Sequence, residues 1–80
     1  MEEDKLKELA RVYPSAVVLY EDGTQTTISL EWYEQNSASV TLKGYALIFI
    51  FKDGSKEEQE FDSYQEMMQE LQRIYNTLSS

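Results

Sequence analysis

Seven apolar residues follow one another without a break from Tyr45 to Phe51, and they restrict this chain more than anything else in it. The run is far short of the ~20 residues that cross a bilayer. Its aromatic and β-branched members favour a strand. Successive strand residues point to opposite faces, so Tyr45, Leu47, Phe49 and Phe51 share one side and Ala46, Ile48 and Ile50 the other. A strand that is apolar on both sides belongs in the interior of a sheet. The rest of the chain must therefore supply flanking strands and a cover for at least one face.

The flanking strands are bracketed by two Asp-Gly pairs, Asp22-Gly23 and Asp53-Gly54. Asp-Gly favours hairpins because Gly accepts positive φ. The first pair separates the run Ala16–Tyr20 from Thr26–Tyr33. In the latter, Thr26, Ile28, Leu30 and Trp32 alternate with Thr27, Ser29, Glu31 and Tyr33, which predicts a half-buried strand with Trp32 in the core. Residues 34–39 are polar and read as a loop. Val40–Lys43 is a short strand, or the start of a longer one interrupted at Gly44. The second pair leads from the apolar run into the polar strand Lys56–Phe61, placed at an edge, where charge discourages pairing with other chains.

Helices are expected at both ends. Leu6, Leu9, Ala10 and Tyr13 make an apolar stripe at helical spacing, which predicts a helix over 3–13 stopped by Pro14. Glu2, Glu3 and Asp4 stand at its start, where negative charge suits the helix dipole. Near the other end, Ser63 and Glu66 form a capping box, with Asp62 as an alternative cap. Tyr64, Met67, Met68, Leu71, Ile74, Tyr75 and Leu78 then make a stripe over a helix that frays at Ser79-Ser80. The expected architecture is one α+β domain: a four- or five-stranded antiparallel sheet flanked by an N-terminal and a C-terminal helix in two layers.

Composition excludes most chemistries. The chain has 80 residues, 15 acids against 7 bases, a net charge of −8, no His and no Cys. Disulfides and thiolate sites are impossible, and the usual general base is missing. No nucleophile elbow, P-loop, dinucleotide fingerprint or calcium loop occurs, so neither an enzyme, a cofactor nor a metal site is expected. The N-terminus is acidic where a signal peptide is basic and then apolar, and a cytoplasmic location is expected. The charge repels nucleic acid and anionic membranes alike and suits a basic protein partner.

Three surfaces are candidates for binding that partner. The first is an acidic line, Asp53 to Glu70, with seven carboxylates and one cation, Lys56. Within it Glu58 and Glu60 share one side of a strand, with Asp62 following if the strand continues, Glu57 precedes them, and Glu66 and Glu70 neighbour each other on a helix. Carboxylates spaced along a ridge could imitate a phosphate backbone; the alternative is a solvated face kept charged for solubility. The second is the back of the sheet. Both helices on one face would leave the other partly open, either Tyr45, Leu47, Phe49 and Phe51 or Ala46, Ile48 and Ile50, joined by Val17 and Leu19 or by Ala16, Val18 and Tyr20; one helix on each face would bury them all. The third is the tyrosines. Tyr13, Tyr64 and Tyr75 fall on core stripes, whereas Tyr33 beside the loop and Phe51 are the aromatic anchors expected at an interface.

The order of elements, the size and the acidity, together with the run Asp53-Gly54-Ser55-Lys56-Glu57-Glu58-Gln59-Glu60-Phe61-Asp62-Ser63, resemble the small phage-encoded anti-CRISPR proteins. That group has no shared motif, so the resemblance implies no residue's role. It implies an inhibitor that occupies a nucleic-acid channel of an effector or nuclease. The leading expectation is a non-catalytic inhibitor whose Glu57, Glu58, Glu60, Asp62, Glu66 and Glu70 neutralise cations of such a surface. The alternative is an assembly module that homodimerises through the apolar face of its sheet.

Overall fold

In the computed structural model, which describes residues 3–79, the chain forms one four-stranded antiparallel sheet with helices at both ends. Glu2, expected at the start of the first helix, and Ser80, expected to fray, lie outside the described residues. The elements are α1 (Glu3–Leu6), β1 (Leu9–Leu19), β2 (Gln25–Ser29), α2 (Leu30–Asn36), a 3₁₀ turn (Ser37–Ser39), β3 (Thr41–Phe51), β4 (Lys56–Phe61) and α3 (Tyr64–Ser79). The strand order is β2-β1-β3-β4, so the apolar run lies inside the sheet and the charged strand β4 at its edge.

The helix expected over 3–13 is a single turn, and the strand expected from Ala16 is found but begins already at Leu9. Pairing across the sheet overrides the helical spacing: Leu9 stands opposite Phe51, Val12 opposite Phe49 and Pro14 opposite Leu47. Pro14 ends no helix. It lies within β1, on a stretch where β1 has β3 as its neighbour but not yet β2, whose pairing begins at Ser15. A proline is tolerated there because one side of the strand has no ladder to break.

The strand expected over Thr26–Tyr33 stops at Ser29. Ser29 has an extended backbone, and its hydroxyl accepts a hydrogen bond from the Trp32 N–H at 3.2 Å, which caps α2. The presumed loop at 34–39 is the remainder of α2 and the 3₁₀ turn. Trp32 consequently leaves the core and is 40% exposed. Val40 lies just outside β3, and the short strand and the apolar run are one element, kinked by a register shift opposite Val17 and Val18. A Cβ on Gly44 would stand 2.9 Å from the Phe61 carbonyl oxygen, so the close approach of β3 to the end of β4 requires glycine here.

Both Asp-Gly turns have the same build. Gly23 and Gly54 take φ of +87° and +88°, while among the described residues no other residue type has positive φ. Asp22 Oδ1 accepts the Thr24 N–H and Asp53 Oδ1 the Ser55 N–H, each at 2.8 Å. At α3, the Glu66 N–H donates to Ser63 Oγ at 3.1 Å, the cap the sequence announces.

The main core cluster lies on one side of the sheet. Leu47, Phe49 and Phe51 of β3 pack with Leu6 of α1 and with Met67, Leu71 and Ile74 of α3, and Leu30 of α2 adds to the same cluster. Tyr45 meets Tyr64 edge to face, with ring centroids 5.7 Å apart. Of the tyrosines assigned to core stripes, Tyr13, Tyr64 and Tyr75 are all 43–48% exposed. No helix of the described residues is long and apolar enough to cross a membrane.

Candidate binding surface

Strand pairing fixes which side chains share the face away from the core. Three rows cross β1, β3 and β4: Arg11, Ile50 and Lys56; Tyr13, Ile48 and Glu58; Ser15, Ala46 and Glu60. Beyond them, Val17 lies opposite Thr27, and Leu19 opposite Gln25. Each row therefore runs from β1 through an apolar residue of β3 to a charge on β4. None of these residues belongs to the core cluster formed with the helices. Of the two arrangements open from sequence, the helices sit on one side; on the back Ser15, Val17 and Ala46 are buried, while Ile48 and Ile50 are half-buried.

This face is apolar in the middle and polar at its rim. Ile48 and Ile50 are half-buried, and Tyr13 is exposed. Between them a groove of about 290 Å³ runs from Thr27 and Ser29 of β2, past Tyr13, Ser15 and Ile48, to Glu58 of β4. Ser15 is buried, and its hydroxyl donates to the Tyr13 carbonyl at 3.3 Å. Arg11 Nη1 donates to the Tyr13 hydroxyl at 3.2 Å, and this bond holds the guanidinium's pKa above its ordinary value. At the far end Lys43 Nζ donates to Gln25 Oε1 at 2.5 Å, which bridges β3 and β2 over β1.

The acidic line does not survive as one surface. Glu58 and Glu60 lie together on the open face, ~6.7 Å apart along the strand. Glu57 points to the helix side, where it is paired with Lys5, whose ammonium also lies 5.2 Å from the centre of the Phe51 ring. Glu70 is half-buried and paired with Arg73, whose pKa it raises. Glu66 is exposed on the first turn of α3, and Asp62 is exposed before it. Strand alternation separates Glu57 from Glu58 and Glu60, and the turn into α3 carries Glu66 and Glu70 away from them.

The two aromatic anchors are also placed differently. Phe51 is 4% exposed and belongs to the core, because it faces the helices opposite Leu9. Tyr33 lies half-buried on α2 rather than on the polar side of a strand. The aromatic on the open face is Tyr13. Its signal was present as the alternation Arg11, Tyr13, Ser15, Val17, masked by the helical spacing of Leu6, Leu9 and Ala10.

Among the described residues no group of three or more His, Cys, Asp or Glu could hold a metal ion. The chain matches no protein-family model, no curated protein and no solved structure.

Proposed function

We propose that this protein acts without catalysis, by seating a basic protein surface on the open face of its sheet. The observation that carries this reading is the placement of Glu58 and Glu60 on the same face as Tyr13, Ile48 and Ile50, with no helix over them. The acids would attract the partner and speed encounter, an effect that salt weakens. Tyr13 and Ile48 would supply the apolar anchor that slows dissociation. Basic surfaces of this kind are what nucleic-acid-binding proteins present. The concrete form of the proposal is therefore an inhibitor that occupies such a surface on an effector or nuclease. Two copies stacked on this face would oppose two acidic rims, each on a chain of net charge −8, so a foreign basic surface fits it better than a second copy.

The test compares three tagged proteins on a cell lysate, at low salt and at ~0.5 M salt, where surface pairs are strongly screened. They are the wild type, Glu58→Gln with Glu60→Gln, and Glu57→Gln with Glu70→Gln. Both double variants lose two charges. A basic protein retained by the wild type and the Glu57/Glu70 variant, released by salt and lost from the Glu58/Glu60 variant, is the expected result. Equal retention by the two double variants would overturn the proposal.

A further inference from the structure

The open face is not uniformly acidic. Its first row carries two cations, Arg11 on β1 and Lys56 on β4, with Ile50 between them. The next two rows end in Glu58 and Glu60. Along β4 the charges therefore run positive, negative, negative, at a spacing of ~6.7 Å. Arg11 lies two strand spacings from Lys56, about 10 Å, and its bond to the Tyr13 hydroxyl keeps the guanidinium on this face. Neither Arg11 nor Lys56 makes an ion pair among the described residues, where Lys5 pairs with Glu57 and Arg73 with Glu70. In a chain of 15 acids and 7 bases, two cations thus share one row of this face without a carboxylate between them.

We infer that the partner surface is itself of mixed charge, with cations over Glu58 and Glu60 and a carboxylate of its own over Arg11 and Lys56. This rests on the open-face reading and specifies its partner. A standard interface covers ~800 Å² of each protein. The three rows span only ~13 Å along the strands and about 10 Å across them. A partner that reaches both Glu58 and Tyr13 therefore covers Arg11 and Lys56 as well. A uniformly basic surface would hold like charges together there, away from water, and lose affinity. One carboxylate above Ile50 lies within reach of both long side chains and removes that cost. It also fixes the register, because a slip of one row sets the partner's acid against Glu58.

The test presents the pattern on probes of known sequence. Three disulfide-closed hairpin peptides differ only along one strand, which reads Glu-Thr-Arg-Thr-Arg, Arg-Thr-Glu-Thr-Arg or Gln-Thr-Arg-Thr-Arg. Alternate residues of a strand share a face and match the row spacing of β4. Binding to the isotope-labelled full chain is followed by amide chemical shifts at low salt. The first hairpin should bind about threefold tighter than the second, which has the same composition. It should also bind tighter than the third, which is more positive by one charge. Both preferences should vanish in Arg11→Gln with Lys56→Gln, checked for folding by circular dichroism. They should persist in Lys7→Gln with Arg73→Gln, which removes two cations from the helix side. Equal binding of the first two hairpins, or tightest binding of the third, overturns the inference and leaves the open face to a uniformly basic partner. No shift at Lys56, Glu58 or Glu60 with any hairpin overturns it together with the open-face reading.

Discussion

Ser15 and Ser29 face each other at the last rung of the β1–β2 ladder, and there the two strands part. On one side of that rung Ser29 turns the chain into α2; on the other, β1 keeps β3 as its neighbour through Pro14 but among the described residues has no strand on its β2 side. The break thus creates both the free edge and the cap. Ser29→Ala removes the oxygen that accepts the Trp32 N–H and should cost about 1 kcal/mol in urea unfolding, while Ser29→Thr should recover most of it. An unchanged midpoint in the alanine variant would mean that the cap does not hold α2.

The ion-paired Glu57 and Glu70 should behave differently from Glu58 and Glu60, which make no ion pair among the described residues. Glu57→Gln loses the pair with Lys5 that ties α1 to the edge strand, and Glu70→Gln loses its pair with Arg73. Exposed pairs contribute about 0.2–1 kcal/mol, so each change should lower the melting temperature slightly. Glu58→Gln and Glu60→Gln remove like charges from one rim and should leave the melting temperature unchanged or raise it. Thermal unfolding of the four variants at low salt decides this, and the reverse order would show that the pairs do not form in solution.

What could be read from the sequence was what depends on neighbours along the chain. The apolar run, the two Asp-Gly turns and the Ser63–Glu66 cap lie within a few residues of the groups they organise, and each is found where it was expected. The second half of β1 was legible as the run at Ala16, but its first half was not, because Leu9, Val12 and Pro14 are held by Phe51, Phe49 and Leu47, more than 30 residues away. Leu30 and Trp32 continue the alternation of Thr26 and Ile28 by coincidence, and only the Ser29 hydroxyl marks the change to helix. The candidate surface was half visible for the same reason. Glu58, Glu60, Ile48 and Ile50 follow from local alternation, but Arg11 and Tyr13 reach that face only through pairing with β3.

Glycines 44 and 54 are required for different reasons, and alanine tests each. Gly54→Ala puts a Cβ into a left-handed conformation with open space around it, which should cost about 1–2 kcal/mol. Gly44→Ala has no such strain, yet its Cβ would meet the Phe61 carbonyl at 2.9 Å, and β3 and β4 must separate to admit it. That should cost about 1–3 kcal/mol and speed amide exchange at the Phe61 end of β4, an effect absent from Gly54→Ala. Exchange unchanged at that end would show that the two backbones are not in contact.

Acid should weaken the fold partly through its turns. Hydrogen bonds from Thr24 hold the Asp22 carboxyl below the usual carboxylate range, and those from Ser55 do the same for Asp53. A carboxylate whose pKa is depressed by folding contributes its full share above the unfolded value of ~3.9 and loses it as pH falls through the folded value. Stability should therefore drop as the pH falls below about 4, and less steeply in Asp22→Asn with Asp53→Asn, which keeps a turn acceptor that does not titrate. Urea midpoints between pH 6 and pH 2.5 measure the difference. Parallel curves would show that these two bonds do not report on folding.

That no helix covers the sheet's back face can be tested without any partner. Met67 and Ile48 are side chains on opposite sides of the same sheet, the first fully buried between α3 and the sheet and the second half-buried on the face that no helix covers. Met67→Ala empties a closed site and should cost about 2–5 kcal/mol. Ile48→Asp would be at least as damaging if the face were covered, because a carboxylate would then be buried without a partner. On an open face its charge reaches water, so the loss should stay below that of Met67→Ala and the variant should remain folded by circular dichroism. An unfolded Ile48→Asp would mean that this face is covered in solution, and the partner surface would have to be sought elsewhere.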